Sequence, residues 1–265
     1  MTAQPATPRQ AATVLLVRDG TAGLEVYLLR RTRGMPFAGG MTAYPGGGVD
    51  PRDGDVDVAW AGPPPAAWGT ALGCDERLAR ELVCAAVRET FEEAGVLLAG
   101  TADSVVPDVT GDDWEAQRQA LLARELSLAE LLATRGLVLR SDLLRPYAHW
   151  IAPPREPRRY DTKFFAAALP VGQDARHVSG EADEAVWLTP SAALHEASAG
   201  LRPMLPPTLH TLGQLERYPD VAALLAGAPP EPLHPITPRF EKTPDGTWAV
   251  LPDGTRLRLV VPLPS

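Results

Sequence analysis

The sequence has 265 residues, of which 45% are hydrophobic and 22% are charged, and its formal net charge at pH 7 is −8. This balance is ordinary for a soluble globular protein, and the acidic excess argues against a general nucleic-acid-binding role, which needs a basic surface. A small anionic substrate is not excluded, because a few arginines or a bound metal can hold one.

Signals for a membrane or for an oxidising compartment are not apparent in the sequence. The two cysteines, Cys74 and Cys84, have neither the spacing of a zinc site nor the number that a disulfide framework needs. No run reaches the ~18 apolar residues of a membrane span, and residues 1–10 lack the apolar core of a signal peptide. We therefore expect a cytoplasmic protein without a membrane or nucleic-acid partner.

The first part of the chain is predicted to contain a flexible leader, a hairpin and a glycine turn. Residues 1–10 form the polar leader, and strand-like runs at 13–17 (TVLLV) and 24–30 (LEVYLLR) flank a turn-rich stretch, as in a β-hairpin. The segment YPGGGVD at 44–50 is a tight turn. Residues 51–75, rich in Pro, Gly, Asp and Ala, are predicted to be an inserted surface loop.

The rest of the chain alternates between helices and strands. A helix is expected from about residue 75 to Ala94, with Gly95 as its C-terminal cap. The later elements are predicted to be one or two helices within 112–134, strands at 145–152, 160–169 and 185–188, a helix from 190, a helix over 206–225, and a hairpin within 247–261. The predicted organisation is one domain over 11–227 and a C-terminal extension over 228–265.

The segment RETFEEAGV, residues 88–96, carries the chemical signal. On a helix, Glu89 and Glu93 are stacked one turn apart at the margin of an apolar stripe, whereas Glu92 lies further toward solvent. Two such carboxylates repel each other and lose hydration, so their placement is costly unless a positive charge lies between them. A hard divalent cation such as Mg²⁺ or Mn²⁺ supplies that charge and prefers carboxylate oxygens.

The alternative interpretation is a solvated acidic helix face, which is the usual role of clustered acids. Against it stands the fixed order Arg-Glu-x-x-Glu-Glu-x-Gly downstream of the YPGGG turn. Five specified residues coincide by chance roughly once per million starting positions at ordinary composition. The order therefore favours a metal site.

These residues resemble the signature of the nudix family, which is Gly, five residues, Glu, seven residues and then Arg-Glu-U-x-Glu-Glu-x-Gly-U, with U bulky and apolar. The second half matches from Arg88 to Val96, except that the first U position is Thr90. The position eight residues before Arg88, normally Glu, is Arg80, and Gly48 lies about 26 residues too far upstream for an uninterrupted signature. An insertion after Val49–Asp50 accounts for the distance.

The interrupted signature is similar to that of the subgroup of nudix-19-type acyl-CoA diphosphatases, over roughly residues 12–225. This resemblance implies an α/β fold, an αβα sandwich with a mixed β-sheet between helices, here with an insertion inside the signature and a C-terminal extension that contains a β-hairpin. It also implies hydrolysis of the diphosphate linkage of a nucleoside diphosphate derivative, assisted by Mg²⁺ or Mn²⁺.

Carried over by position, the resemblance implies that Glu89, Glu92 and Glu93 are catalytic residues and metal ligands. It also implies that a backbone carbonyl of the Gly46–Gly48 turn, with Gly48 as the candidate, completes the coordination, and we expect Arg88 and Gly95 to be structural. Because Arg80 replaces the first signature Glu, we expect one outer interaction to be lost.

Further candidates lie outside the signature. A later carboxylate, Glu181 or Glu184, is a candidate to join the metal shell, with an ordinary surface role as the alternative. Guanidinium groups suit phosphate oxygens, so Arg31, Arg158 and Arg159 are predicted to bind substrate. Arg155 lies in the same loop as Arg158 and Arg159. The alternative for all of them is an ordinary exposed arginine.

Three functional hypotheses remain open at this point. The favoured substrate is coenzyme A or an acyl-CoA, by resemblance to the subgroup. The alternatives are hydrolysis of ADP-ribose, a dinucleotide or an oxidised nucleotide, and a nudix-fold sensor that binds a nucleotide without turnover. A homodimer is common in the family, but no residue of the sequence fixes the oligomeric state.

Overall fold

The computed structural model describes residues 6–35, 38–154, 156, 158–178, 180–227 and 232–260. The strands are β1 (Arg9–Gly20), β2 (Gly23–Arg31), β3 (Thr42–Ala43), β4 (Gly46–Gly48), β5 (Trp60–Ala61), β6 (Ala99–Gly100), β7 (Val138–Arg140), β8 (Leu144–Ile151), β9 (Tyr160–Ala168), β10 (Ala182–Leu188), β11 (Pro235–Ile236), β12 (Arg239–Thr243), β13 (Gly246–Val250) and β14 (Arg256–Leu259). The α-helices are α1 (Pro65–Leu72), α2 (Glu76–Ala94), α3 (Asp112–Leu122), α4 (Leu128–Arg135), α5 (Pro190–Ser198), α6 (Pro206–Leu215) and α7 (Val221–Ala226).

An eight-stranded mixed sheet forms the centre of the fold. Its strands lie in the order β10-β2-β1-β9-β8-β11, while β3 pairs with β2 and β4 pairs with β1. The pairs β1–β9 and β8–β11 are parallel and the others are antiparallel. The predicted mixed sheet is therefore confirmed.

Helices cover both faces of this sheet. Alternate side chains of β1 enter two separate apolar clusters, because neighbouring residues of a strand point to opposite faces. Val14 and Leu16 pack with α2 in one cluster, and Leu15 and Val17 pack with α5 and α6 in the other. The αβα sandwich expected from the resemblance is confirmed by this arrangement.

Helix α2 has the predicted ends. The carboxylate of Asp75 accepts a hydrogen bond from the Leu78 N–H at the start of the helix, and Gly95 ends it with φ of 65°, a left-handed conformation that favours glycine. The helix packs against β1 and β4 of the central sheet. Its last two turns therefore lie beside the glycine turn, which positions the glutamates.

The predicted leader and insertion contain regular structure. Residues 9–10 of the leader are already the first residues of β1, residues 6–8 are described without a regular element, and residues 1–5 lie outside the described residues. The insertion at 51–75 contains a short 3-10 helix (Pro51–Gly54), β5 and α1 rather than an irregular loop. Strand β5 pairs with β7, and β7 with β6, in a separate small sheet.

The helix predicted over 206–225 is divided into two helices. α6 ends at Leu215 and α7 begins at Val221, with Pro219 in the intervening segment. Proline cannot continue a helix because it lacks the N–H and collides with the preceding turn. The side chain of Asp220 instead caps the second helix by accepting from the Ala223 N–H at 2.7 Å.

The C-terminal extension forms a sheet of its own. The predicted hairpin is present as β13 and β14, and β12 adds a third antiparallel strand to it. Residues 228–231 and 261–265 of the predicted extension lie outside the described residues. In the part of the chain that is described, no helix is long and apolar enough to cross a membrane.

Candidate active site

The glycine turn is held directly against the glutamates of α2. The Gly46 N–H donates a hydrogen bond of 2.8 Å to Glu93 Oε2. A Cβ atom placed on Gly47 would lie 2.5 Å from Glu89 Oε1. Such a distance excludes any side chain at position 47 unless Glu89 moves. A side chain at position 47 would therefore displace the Glu89 carboxylate.

All three glutamates are buried. Glu89, Glu92 and Glu93 are 8%, 7% and 7% exposed, so the expectation that Glu92 faces solvent is wrong. The cause is helix α3, which packs against α2, where its Arg118 donates to the Glu92 carbonyl at 2.6 Å. A helical wheel of α2 alone cannot include this covering helix.

Arg88 connects the glutamates to the start of the insertion. Its guanidinium makes two hydrogen bonds of 2.9 Å to the carboxylate of Asp53 and contacts Glu89 Oε1 at 2.6 Å. Both carboxylate oxygens of Glu92 lie 3.4 Å from Arg88 Nη1. Glu81 of the same helix pairs with Arg77 at 3.0 Å and does not contact this clamp. Arg88 is thus a buried clamp around the site.

Gly48 has a partner that differs from the expected one. Its carbonyl, expected to coordinate a metal, accepts a hydrogen bond of 2.9 Å from Arg88 Nη2. Backbone groups of an antiparallel strand alternate in direction, and the Val14 N–H donates to the Pro45 carbonyl. The Gly47 groups therefore face β1, while those of Gly46 face α2. By the same alternation, the Gly46 carbonyl is expected on the side of its N–H, which binds Glu93, and the Gly48 carbonyl on that side is taken by Arg88.

Burial controls the protonation of the two principal glutamates. Loss of hydration raises the pKa of Glu89 to about 7, although Arg88 opposes the shift. Loss of hydration and then the negative charge of Glu89 raise the pKa of Glu93 to about 8. Burial also raises the pKa of Glu92. Because the charged forms are disfavoured, the site gains from a cation that compensates them.

The groups around the glycine turn that could coordinate a metal all do so through oxygen atoms, which are the ligand atoms that Mg²⁺ and Mn²⁺ prefer. Within the described ranges, however, no three His, Cys, Asp or Glu side chains converge closely enough to hold a metal as they stand. The physical reason is that Arg88 draws Glu89 and Glu92 toward itself while the Gly46 N–H holds Glu93. The chemistry of the donor set fits a divalent cation once these carboxylates turn from Arg88.

A cavity of about 580 Å³ opens beside the glutamates. Its wall includes Arg31, Arg158 and Glu181. Arg31 Nη2 lies 3.9 Å from Glu181 Oε2, and the buried Nε atom of Arg31 has no hydrogen-bond partner among the described residues. Two predicted arginines and one predicted later carboxylate are thus brought to the same cavity as the glutamates.

Comparisons with known proteins agree with this arrangement. The model of the family described as the NUDT19 Nudix domain matches residues 73–215, more than half of the chain. The chain belongs to this nudix family.

Two relatives support the assignment. A putative nudix hydrolase 7 of Caenorhabditis elegans is 26% identical over 212 residues, which are 80% of this chain; the chain spans only 62% of that relative's length. The crystal structure of a nudix hydrolase from Alicyclobacillus acidocaldarius is similar with a TM-score of 0.72 and 28% identity, over 83% of this chain and 96% of the other.

The nudix signature is less altered than the sequence suggested. Asp53 follows Gly47 at the interval that the signature gives to its first Glu, and it binds the signature arginine, Arg88. The expectation that Arg80 occupies this position and that the outer interaction is lost is therefore wrong. Counting forward from the glycine turn would have identified Asp53, whereas counting back from Arg88 crosses the insertion. Arg80 lies over the ring of Trp60, 5.5 Å from its centroid.

Two further predicted residues of the nudix site have other roles. Arg159 donates to the carbonyls of Ala152 and Ala6 at 3.0 and 2.8 Å, so its guanidinium supports backbone. Glu184 pairs with Arg30 and Arg202, each at 3.1 Å. Arg155 lies outside the described residues. Neither Arg159 nor Glu184 is part of the cavity wall, and loop orientation of this kind cannot be deduced from the sequence.

Proposed function

We propose that this nudix protein is a divalent-metal-dependent hydrolase that cleaves the diphosphate linkage of a nucleoside diphosphate derivative. The observation that carries the proposal is the pair Glu89 and Glu93, buried one turn apart against the glycine turn at the end of an open cavity. Burying two like charges is costly unless the site binds a cation.

The residues that would hold Mg²⁺ or Mn²⁺ are Glu89, Glu92 and Glu93, together with the carbonyl of Gly46 in place of that of Gly48. When bound, the cation neutralises the diphosphate and lowers the pKa of a coordinated water. Arg88 keeps Glu89 and Glu92 in place and compensates their charge when no cation is bound, whereas Glu93 is held by the Gly46 N–H.

The chain's own side chains account for the remaining steps. Arg31 in the cavity wall binds a phosphate oxygen through its fork of donors, and Arg158 at the rim attracts the outer phosphate. Glu181, the later carboxylate in the wall, receives the proton of the attacking water. Its carboxylate lies 3.9 Å from Arg31 Nη2, beside the proposed phosphate site.

For the substrate we favour coenzyme A or an acyl-CoA. This preference is supported by the family match and by the mixed character of the cavity, which combines the arginine-lined end with apolar side chains such as Trp150 and Phe164. Hydrolysis of ADP-ribose, a dinucleotide or an oxidised nucleotide is the alternative within enzymes. A nudix-fold sensor without turnover is the alternative outside them.

A substrate panel with purified protein tests the proposal. With Mn²⁺ or Mg²⁺, mass spectrometry should detect 3′,5′-ADP and 4′-phosphopantetheine from coenzyme A. The variant Glu93→Gln should lose at least about a hundredfold in kcat/KM, whereas Glu76→Gln, an exposed change on the same helix, should retain wild-type activity. Tight binding of one diphosphate with no cleavage of any would favour the sensor instead.

A further inference from the structure

The far wall of the cavity is built by parts of the chain outside the catalytic helix. It includes Pro206 and Pro207 at the start of α6 and Pro238 and Phe240 around the start of β12. Pro238 and Phe240 lie beyond residue 215, where the match to the family model ends. The C-terminal sheet therefore adds to the site a surface that the family match does not include.

Phe240 is an aromatic side chain without a place in the apolar interior. It is partly buried, and it packs into neither of the two apolar clusters of the sandwich. Its neighbour across the sheet, Ala249, is fully buried, so the ring lies on the inner face of β12. An aromatic ring that lines a cavity gains free energy when an apolar group covers it.

The start of α6 is chemically unsuited to a phosphate. A helix N-terminus normally offers free N–H groups to an anion. Here the first two helical residues, Pro206 and Pro207, have no N–H, and the cap residue Leu205 has no side-chain oxygen. Pro238 removes a further donor from the same wall. Pro206, Pro207 and Pro238 therefore supply no N–H group to this part of the wall, which also includes the polar side chain of Thr208.

The strand order places Pro238 and Phe240, which follow β11, across β1 from the glutamates. Ile236 of β11 pairs with Trp150 of β8, and Phe240 follows four residues later in the chain. The ring of Trp150 contacts that of His210 in α6, with the ring centroids 5.4 Å apart. The glutamates lie at the other side of β1, under β4. A ligand that contacts both ends must carry its diphosphate and an apolar group on separate parts of one molecule.

From these observations we propose that the C-terminal sheet is the selectivity element of the site, with Phe240 and Pro238 binding an aliphatic chain carried by the substrate. This inference rests on the proposed diphosphatase activity for its catalytic readout. It commits to a chain rather than a nucleobase, because the hydrogen-bonding edge of a base needs donors and acceptors that three prolines and a phenylalanine do not provide.

Phe240→Ala is the test variant and Trp248→Ala is its matched control. Trp248 lies on the adjacent strand of the same sheet, pairs with Glu241 rather than Phe240, and is not part of the cavity wall. It therefore points to the opposite face, where Arg256 lies 5.2 Å from its ring centroid. A loss that both variants share would come from damage to the sheet, and a loss confined to Phe240→Ala would come from the cavity.

The assay compares kcat/KM for octanoyl-coenzyme A, coenzyme A and ADP-ribose. Phe240→Ala should lower the value for octanoyl-coenzyme A by about tenfold, as expected for roughly 55 Å² of lost apolar contact, and change the other two by less than about twofold. Phe240→Leu should restore most of the loss. Equal effects of Phe240→Ala on all three substrates would overturn the proposal.

A binding measurement separates this inference from the proposed function. Calorimetric titration of S-octanoylpantetheine, which has no diphosphate, should show weaker binding to Phe240→Ala than to wild type or Trp248→Ala. If the wild type binds S-octanoylpantetheine more tightly than Phe240→Ala does but cleaves no diphosphate, the proposed role of the C-terminal sheet is supported and the proposed activity is refuted. If coenzyme A is cleaved but neither the binding of S-octanoylpantetheine nor the substrate selectivity depends on Phe240, the proposed role of the C-terminal sheet is refuted and the proposed activity is supported.

Discussion

The ion pair between Asp53 and Arg88 gives the sharpest prediction, because it joins the interrupted part of the signature to the catalytic helix. Asp53 is 2% exposed and Arg88 is 7% exposed, and two hydrogen bonds of 2.9 Å connect them. Removing one partner of a buried pair costs about 3–5 kcal/mol, since the other charge is left without compensation. Arg88 retains Glu89 and the Gly48 carbonyl, so we expect the lower end of this range.

Asp53→Ala should therefore reduce the free energy of unfolding by about 3 kcal/mol, which lowers the melting temperature by roughly 6–12 °C in a chain of this size. The freed guanidinium should also hold Glu89 and Glu92 more tightly and compete with the cation. We expect the Mn²⁺ concentration for half-maximal activity to rise about tenfold, which corresponds to about 1.4 kcal/mol of competition.

Calorimetry and metal titration of activity measure the two effects. Asp53→Glu, which restores the residue usual in the signature, should retain most of the stability. Arg77→Ala removes an ion pair from the same helix, but Arg77 is 85% exposed, so its loss should have little effect. If Asp53→Ala melted within 2 °C of wild type and needed no more Mn²⁺, the clamp would have no energetic importance and the reasoning from burial would be wrong.

Two further predictions concern the glycine turn and the glutamates. Gly47→Ala should displace Glu89 and reduce kcat/KM at least about a hundredfold, while the far-ultraviolet circular dichroism spectrum stays native. The control Gly34→Ala should be neutral, because an added Cβ there meets no atom within 4 Å. A Gly47→Ala variant with wild-type activity would contradict the close approach of β4 to Glu89. Because the folded pKa values of Glu89 and Glu93 are raised to about 7 and 8 from 4.5, their contribution to stability is complete below pH 4.5 and is lost as pH rises to about 8. In the metal-free protein the melting temperature should fall as the pH rises over this window. The increase in melting temperature on adding Mn²⁺ should be larger at pH 8 than at pH 6. An increase that does not depend on pH would show that the glutamates do not bind the metal.

Local patterns in the sequence were sufficient to predict helix α2. The cap residues at both ends and the spacing of Glu89 and Glu93 depend on contacts within one or two turns, and a helical wheel contains those contacts. The mixed sheet was predicted through resemblance rather than periodicity, because strand order depends on pairing between distant segments.

Features that depend on distant segments were missed or misassigned. Asp53 and Arg88 are 35 positions apart, and the insertion between them obscures the spacing of the signature. Glu92 is buried by α3, a neighbour that no property of α2 indicates. Arg158 lines the cavity and Arg159 does not, and this difference between adjacent residues depends on a loop conformation. The position of Phe240 in the cavity wall could not be predicted, because it depends on how the C-terminal sheet packs beside the cavity.

The central claim is that Glu89 and Glu93 share a divalent cation beside the glycine turn. Anomalous scattering from crystals of the protein grown with Mn²⁺ tests it most directly. We predict a manganese peak bounded by carboxylate oxygens of Glu89 and Glu93 and the carbonyl of Gly46, with the Glu89 carboxylate turned away from Arg88. A peak elsewhere, or none at saturating Mn²⁺ with Arg88 still bound to Glu89, would contradict the proposed chemistry.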